Sequence, residues 1–195
     1  MRLVLASTSA SRAAMLRASG VPFEAVAPGV DERGVEDALH DIAPATLAAT
    51  LAQKKALAVP AGAGALVLGS DSVLETEDGR SLSKSTSRDR ARAQLRALRG
   101  RPHRLISAAA ITEGGDVVWR GTEIATMHVR DFGDAFLDDY LDREWEHIRH
   151  CVGGYRMEAL GVQLFDRVEG SHFAILGLPL LPVLGYLRER GVVAT

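Results

Sequence analysis

The chain opens on a short apolar run, Leu3–Ala6, which breaks at once into Ser7-Thr8-Ser9-Ala10-Ser11 and then into a helical stretch, Arg12–Ser19, closed by Gly20. A brief apolar segment without alternation suits a strand buried on both faces. The pattern returns at Ala65–Leu68, which runs into Gly69-Ser70-Asp71-Ser72. Two buried strands that each end in a polar turn direct the chain towards an α/β architecture, where ligands collect beyond the carboxyl ends of the strands.

The remaining pattern is mixed. Val21–Ala27 reads as extended and Pro28-Gly29 as a turn. Pro44–Val59 reads as a helix, with Leu47, Leu51, Lys55 and Ala58 recurring at three and four. Asp78-Gly79 is a hairpin-type turn. Ser87 caps a predicted helix that runs to Leu98, buries Ala91, Leu95 and Leu98, and ends at Gly100. His103–Ile111 and Val117–Val129 read as long strands joined by Gly114-Gly115-Asp116. A helix is predicted over Asp134–Leu141, a strand over Val162–Val168, and a last helix over Pro179–Arg190 with proline in its first turn. No repeat and no low-complexity linker interrupts this order, so a single, bilobed α/β domain over residues 1–195 is expected.

Composition bounds the function. The 195 residues are 47% hydrophobic and 25% charged, enough apolar surface to build a core and exclude wholesale disorder. A formal charge of -2 argues against a general nucleic-acid binder. The lone cysteine, Cys151, leaves no intramolecular disulfide to form, which suits a reducing cytoplasm. The apolar runs are interrupted by Gly and Pro and fall short of a bilayer span, so no membrane role is expected, and Ser7 ends the first run too soon for a signal peptide.

Four places could carry chemistry. The hydroxyls of Ser7, Thr8, Ser9 and Ser11 at a helix N-terminus, with Arg12 behind them, suit a phosphate; ordinary N-capping explains the same serines. Asp71, just past a buried strand, is a hard ligand for Mg²⁺ or a base for a water; alone, it also reads as a turn cap. Gly79-Arg80-Ser81-Leu82-Ser83-Lys84-Ser85 half-resembles a phosphate loop, but Ser83 stands where the second glycine belongs and a turn precedes it, so a Walker ATPase is rejected, with Lys84 kept as a phosphate ligand by another route. His147-x-x-His150-Cys151 has metal-ligand residue types but no second close cysteine, which favours structural or surface roles.

Together these segments resemble one family. Leu5-Ala6-Ser7-Thr8-Ser9-Ala10-Ser11-Arg12 is similar to the opening L-A-S-x-S-P-R-R of the Maf family of septum-formation-inhibitor-like nucleotide pyrophosphatases. Val30-Asp31-Glu32 matches its acidic motif and Leu51-Ala52-Gln53-Lys54-Lys55-Ala56 its L-A-x-x-K-A helix. Gly69-Ser70-Asp71-Ser72-Val73 is similar to G-A-D-T-V, and Leu82-Ser83-Lys84-Ser85 to L-G-K-P. The stretch from Ala91 through Gly100 and His103 to Ser107 resembles the family's A-x-x-x-L-x-x-L-x-G-x-x-H-x-x-x-T/S run. Gly153-Gly154-Tyr155, Glu169-Gly170 and Gly177-Leu178-Pro179 match the closing motifs. Each motif is weak, whereas their order along nearly the whole chain is specific.

The resemblance implies hydrolysis of a nucleoside triphosphate between its α and β phosphates, giving a nucleoside monophosphate and pyrophosphate. It also implies a divalent cation, Mg²⁺ or Mn²⁺, an elongated mixed β-sheet flanked by helices in a Maf/ITPase-like fold with a cleft between lobes, and often a homodimer. Carried over by position, Asp71 is the catalytic carboxylate and a metal ligand, with Asp31 or Glu32 as a second carboxylate for the metal. Ser7, Ser9, Arg12, Lys55, Lys84 and Ser107 become substrate contacts. Ala10 and Ser11 stand where the family has Pro and Arg, and Ser83 and Ser85 flank Lys84 in place of Gly and Pro. His150-Cys151-Val152-Gly153-Gly154-Tyr155-Arg156-Met157-Glu158 resembles the H-C-A-G-S-F-K-S-E of the branch linked to 7-methyl-GTP rather than the D-K-A-G-A-Y-G-I-Q of the thymidine and uridine type. Glu158 would favour a cationic or donor-rich base edge, unless it only pairs with an arginine such as Arg156. Two alternatives stand beside a general pyrophosphatase: an enzyme specific for 7-methyl-GTP, and a non-catalytic nucleotide-binding regulator of cell division.

Overall fold

A computed structural model describes residues 1–39 and 41–194. Its elements run β1 (Arg2–Ala6), α1 (Ala10–Ala18), β2 (Glu24–Val26), α2 (Glu32–Ala38), α3 (Pro44–Ala58), β3 (Ala65–Thr76), β4 (Ser81–Leu82), α4 (Arg88–Leu98), β5 (Pro102–Glu113), β6 (Asp116–Val129), α5 (Asp134–Ile148), β7 (Phe165–Gly170), α6 (His172–Ile175) and α7 (Leu180–Glu189). The strands form one seven-stranded mixed sheet in the order β2-β1-β3-β5-β6-β7, with β4 on β3. β1 is parallel to β2 and β3; all other pairings are antiparallel. This is the mixed α/β fold expected from the sequence.

The two largest apolar clusters among the described residues sit towards opposite ends of the long strands. Leu66 and Leu68 of β3 pack with Leu3, Leu16, Ile111 and Val183. Farther along the same strand, Leu74 packs with Leu95, Leu105, Met127 and Tyr140. Between them β3 is polar but still buried at Ser70 and Asp71. The sequence reading ended the strand at Leu68 and put Asp71 beyond it. Instead, β5 pairs with β3 without interruption from Leu66↔Glu113 to Thr76↔His103, and Asp71 lies inside the strand. Backbone pairing to a neighbour overrides the polar interruption.

The other differences have similar causes. α2 was not predicted because it buries none of its side chains fully and so carries little core-facing periodicity. α5 continues past Leu141 to Ile148 because Glu144, at a buried position, pairs with Arg156 and hides the apolar repeat. Only the end of Val162–Val168 is strand; a 3₁₀ turn over Leu160–Leu164 precedes it. A second such turn spans Val152–Gly154. The extended segment near Val21 shortens to Glu24–Val26, and Pro179 caps α7 rather than sitting inside it. No helix among the described residues is long and apolar enough to cross a membrane.

Candidate active site

β1 stops pairing with β3 at Ala6↔Gly69, and β4 joins β3 only at Leu74↔Leu82. Between those points Ser70–Val73 present a strand edge without a strand partner, and a cleft of about 690 Å³ opens there. Because side chains alternate along a strand, Asp71 and Ser72 leave β3 on opposite faces and reach the cleft around that edge.

Asp71 faces α3. A Cβ on Gly69 would stand 2.2 Å from the Ala52 carbonyl oxygen, so only glycine lets helix and strand approach this closely. That approach brings Lys55 under Asp71, with Nζ 2.6 Å from Asp71 Oδ1 and 2.7 Å from Glu32 Oε1. Lys55 and Asp71 are buried, at 4% and 6% exposure. Glu32 also receives Lys84 Nζ at 3.0 Å on its other oxygen. Burial pushes the Glu32 carboxyl up, but the hydrogen bonds and charge of Lys55, together with Lys84, outweigh it and hold the group down at about 2. Glu32 therefore stays ionised at any physiological pH.

Ser72 faces the other way, towards Arg12. The Arg12 fork cross-links three segments: Nε donates to the Gly177 carbonyl at 2.7 Å, Nη2 to Ser72 Oγ at 3.2 Å and Nη1 to Ser7 Oγ at 3.4 Å. Gly177 has φ 99°, and a Cβ there would press on Ser72 and Arg12. Burial lowers the Arg12 guanidinium from its ordinary value, opposed by the negative charges of Asp71 and Glu32. Ser9 N-caps α1 by accepting from the Arg12 amide, and Ser7 accepts from the Ser9 amide. The opening serines thus organise the helix N-terminus and also line the cleft.

The remaining expected residues divide. Lys84 and Glu158 line the cleft. Ser107 is fully buried behind Ser72, sharing a 2.8 Å hydrogen bond with it and donating to the Ala174 carbonyl at 2.6 Å. Asp31 is exposed and N-caps α2 by accepting from the Gly34 amide at 3.0 Å; it is outside the cleft lining. The serines that flank Lys84 tie its loop down, Ser83 to Glu36 at 2.8 Å and Ser85 to Gln94.

The far wall comes from the end of α5 and the segment after it. His147, His150, Cys151, Val152, Tyr155 and Met157 line it. His147 and His150, for which the sequence favours structural or surface roles, are exposed, and together with the half-buried Cys151 they border the cleft. Among the described residues no group of three or more His, Cys, Asp and Glu side chains gathers to hold a metal ion. Burial, reinforced by Glu158, raises the Cys151 thiol above its ordinary value, so it stays protonated. Glu158 does not pair with Arg156, whose Nη2 lies 2.9 Å from Glu144; it accepts a 3.3 Å hydrogen bond from Ser11. Sequence reasoning gave no role to Ser72 or Tyr155, although both stand inside the quoted motifs.

A cleft with a buried lysine–carboxylate pair on one side and a serine-capped helix N-terminus carrying Arg12 on the other, at the open edge of a mixed sheet, suits an α/β protein that handles phosphate groups. A family model described as Maf-like protein matches residues 2–190, and the chain belongs to this Maf family. A relative from Rhodopseudomonas palustris is 46% identical over 193 residues, covering 98% of this chain and 95% of its own. One from Maricaulis maris is 46% identical over 193 residues, covering 98% of each chain. One from Caulobacter vibrioides is 44% identical, covering 98% of this chain and 96% of its own. All three are named nucleoside triphosphate pyrophosphatase.

Proposed function

We propose that this chain is a nucleoside triphosphate pyrophosphatase that cleaves between the α and β phosphates and releases a nucleoside monophosphate and pyrophosphate in the cytoplasm. The observation that carries this reading is the convergence of Asp71, Lys55, Arg12 and Lys84 on one cleft. The names of the full-length relatives support it. A triphosphate brings about four negative charges, and such reactions depend on positioning and charge neutralisation. Arg12 presents a planar fork already oriented by Gly177, Ser7 and Ser72, which suits a phosphate. Ser7 and Ser9 add hydroxyls beside it, and Ser107 acts from behind by holding Ser72. Lys55 holds Asp71 in place at 2.6 Å, so Asp71 can accept a proton from, or align, the attacking water.

Asp71 and Glu32 also suit a divalent cation. Mg²⁺ uses one or two carboxylates together with substrate phosphates and keeps several waters. Two carboxylates converging on the single Lys55 ammonium are that kind of donor set, and they fit a cation that arrives with the triphosphate better than a closed protein cage. When bound, Mg²⁺ or Mn²⁺ supplies neutralisation of phosphate charge. Asp31, directed to the cap of α2, contributes through that helix.

A second reading narrows the base. Glu158 borders the cleft, hydrogen-bonded to Ser11 and near the Arg156 charge but not ion-paired with it, so its anion would favour a cationic base edge such as that of 7-methyl-GTP. Both readings are tested by incubating the protein with Mg²⁺ or Mn²⁺ and a panel of canonical and modified triphosphates, 7-methyl-GTP among them. Pyrophosphate is the expected product, and the best substrate decides the base. Asp71→Asn should lower kcat by about 10²–10⁴-fold with the fold intact. Orthophosphate as the first product would overturn the bond assignment. Nucleotide binding without turnover, unaffected by Asp71→Asn, would point to a regulator.

A further inference from the structure

His103 is 1% exposed, and neither the proposed chemistry nor the phosphate contacts use it. It lies on β5, and its Nε2 is 2.6 Å from the Tyr155 hydroxyl. Its Nδ1 is buried without a hydrogen-bond partner. A buried imidazole with one ring nitrogen unsatisfied costs stability, and the other nitrogen needs a partner. Tyr155 supplies it. Tyr155 borders the cleft yet is only 6% exposed: its hydroxyl is bound to His103, and its ring packs edge-to-face with Phe165 at a centroid distance of 4.8 Å. The chain reaches Tyr155 through Gly153 and Gly154, with φ 82° and 70°. Two consecutive left-handed glycines leave a segment that local backbone preference does not fix. It is fastened by side chains: Tyr140 donates to the Gly154 carbonyl at 3.0 Å, and His103 holds Tyr155.

The charged contacts for phosphate lie on the opposite wall, so the nucleoside end of a nucleotide falls to the wall that carries Tyr155, Met157 and Glu158. We infer that His103 is a positioning residue: through the Tyr155 hydroxyl it sets the wall that receives the nucleoside. This rests on the nucleotide-binding part of the proposed function. Burial, with His128 adding to it, lowers the imidazole to about 4, so it stays neutral and its bond to Tyr155 is not disturbed near neutrality.

The test is the dissociation constant of a non-hydrolysable α,β-methylene nucleoside triphosphate, with steady-state kinetics beside it. Tyr155→Phe and His103→Leu should each weaken binding about five-fold while kcat stays within about two-fold. His103→Gln, whose amide reaches the position of Nε2, should recover most of the loss. The double variant should bind no worse than either single one, because one contact is lost in all three. Unchanged binding in Tyr155→Phe and His103→Leu, with only the melting temperature lowered, would overturn the inference, as would additive losses in the double variant. A wild type that binds the analogue but turns over no triphosphate would defeat the proposed reaction and leave this test standing.

Discussion

The two walls of the cleft are built on different principles. The wall around Arg12 and Asp71 is made from regular elements tied to one another: α1 to β3 and Gly177 through Arg12, α3 to β3 through Lys55, and β3 to β5 and α6 through Ser72 and Ser107. The wall from His147 to Glu158 is mostly a segment between α5 and β7, held by His103–Tyr155, by Tyr140–Gly154, by Arg156–Glu144 and by the longer Ser11–Glu158 bond. The first is arranged before any ligand arrives, and the second depends on a few separate contacts. Preorganised charge acts without reorganisation during reaction, so the proposed function puts chemistry on the first wall and discrimination on the second.

The largest effect that sharpens this contrast is expected at Arg12. Lysine there keeps the charge but cannot bridge Gly177, Ser7 and Ser72 as the guanidinium does. Arg12→Lys should lower kcat/KM by about 10²-fold, as the loss of one or two charge-assisted bonds does, and by a similar factor for every base. If kcat/KM falls by less than two-fold, or falls for one base only, the prearranged wall is not the one that serves all substrates.

The same contrast governs what could be read in the sequence. α1, α3, α4 and the β5–β6 hairpin were legible because their apolar periods, caps and glycine turns agree with their packing. Lys55 and Asp71 were legible as motif members, but not as partners, because the contact depends on Gly69 letting α3 meet β3. Ser107 reads like any site hydroxyl in sequence; only the strand register places it behind Ser72. α2 stayed hidden because it buries no side chain fully, only Val35 in part, and leaves little pattern. His103–Tyr155 joins a strand residue to one 52 positions on that follows an irregular turn, and no local rule predicts such a contact.

Acid should separate the walls by order of failure. His103 has a folded value of about 4 against an ordinary 6.5, because burial disfavours its charged form. The unfolded chain therefore binds the extra proton first, and stability falls as pH drops from 6.5 to 4. The full loss is about 3 kcal/mol. Glu32 is held at about 2 against 4.5, so its contribution is complete above 4.5 and disappears as pH falls towards 2. Its partial exposure limits that to about 1 kcal/mol. Urea midpoints measured from pH 7 to pH 3 should show a slope between 6.5 and 4 that His103→Leu removes and Glu32→Gln leaves in place. Parallel slopes in wild type and His103→Leu would mean that the far wall does not respond first.

The smallest effect should come at Glu158, where the walls touch. Its carboxylate accepts from Ser11, which belongs to α1 on the opposite side, and it is exposed to the cleft. Glu158→Gln keeps the shape and an acceptor for Ser11 but removes the charge. A neutral amide attracts a cationic base less, by about 1 kcal/mol at an exposed site. The ratio of kcat/KM for 7-methyl-GTP to that for GTP should therefore fall about five-fold, while kcat on GTP stays within about two-fold. If the ratio is unchanged, Glu158 serves only as an acceptor for Ser11 across the cleft mouth, and base discrimination must lie deeper, beside Tyr155 and Met157. If instead kcat falls for every base, charge at the far wall reaches the reacting phosphates and the division of labour between the walls fails.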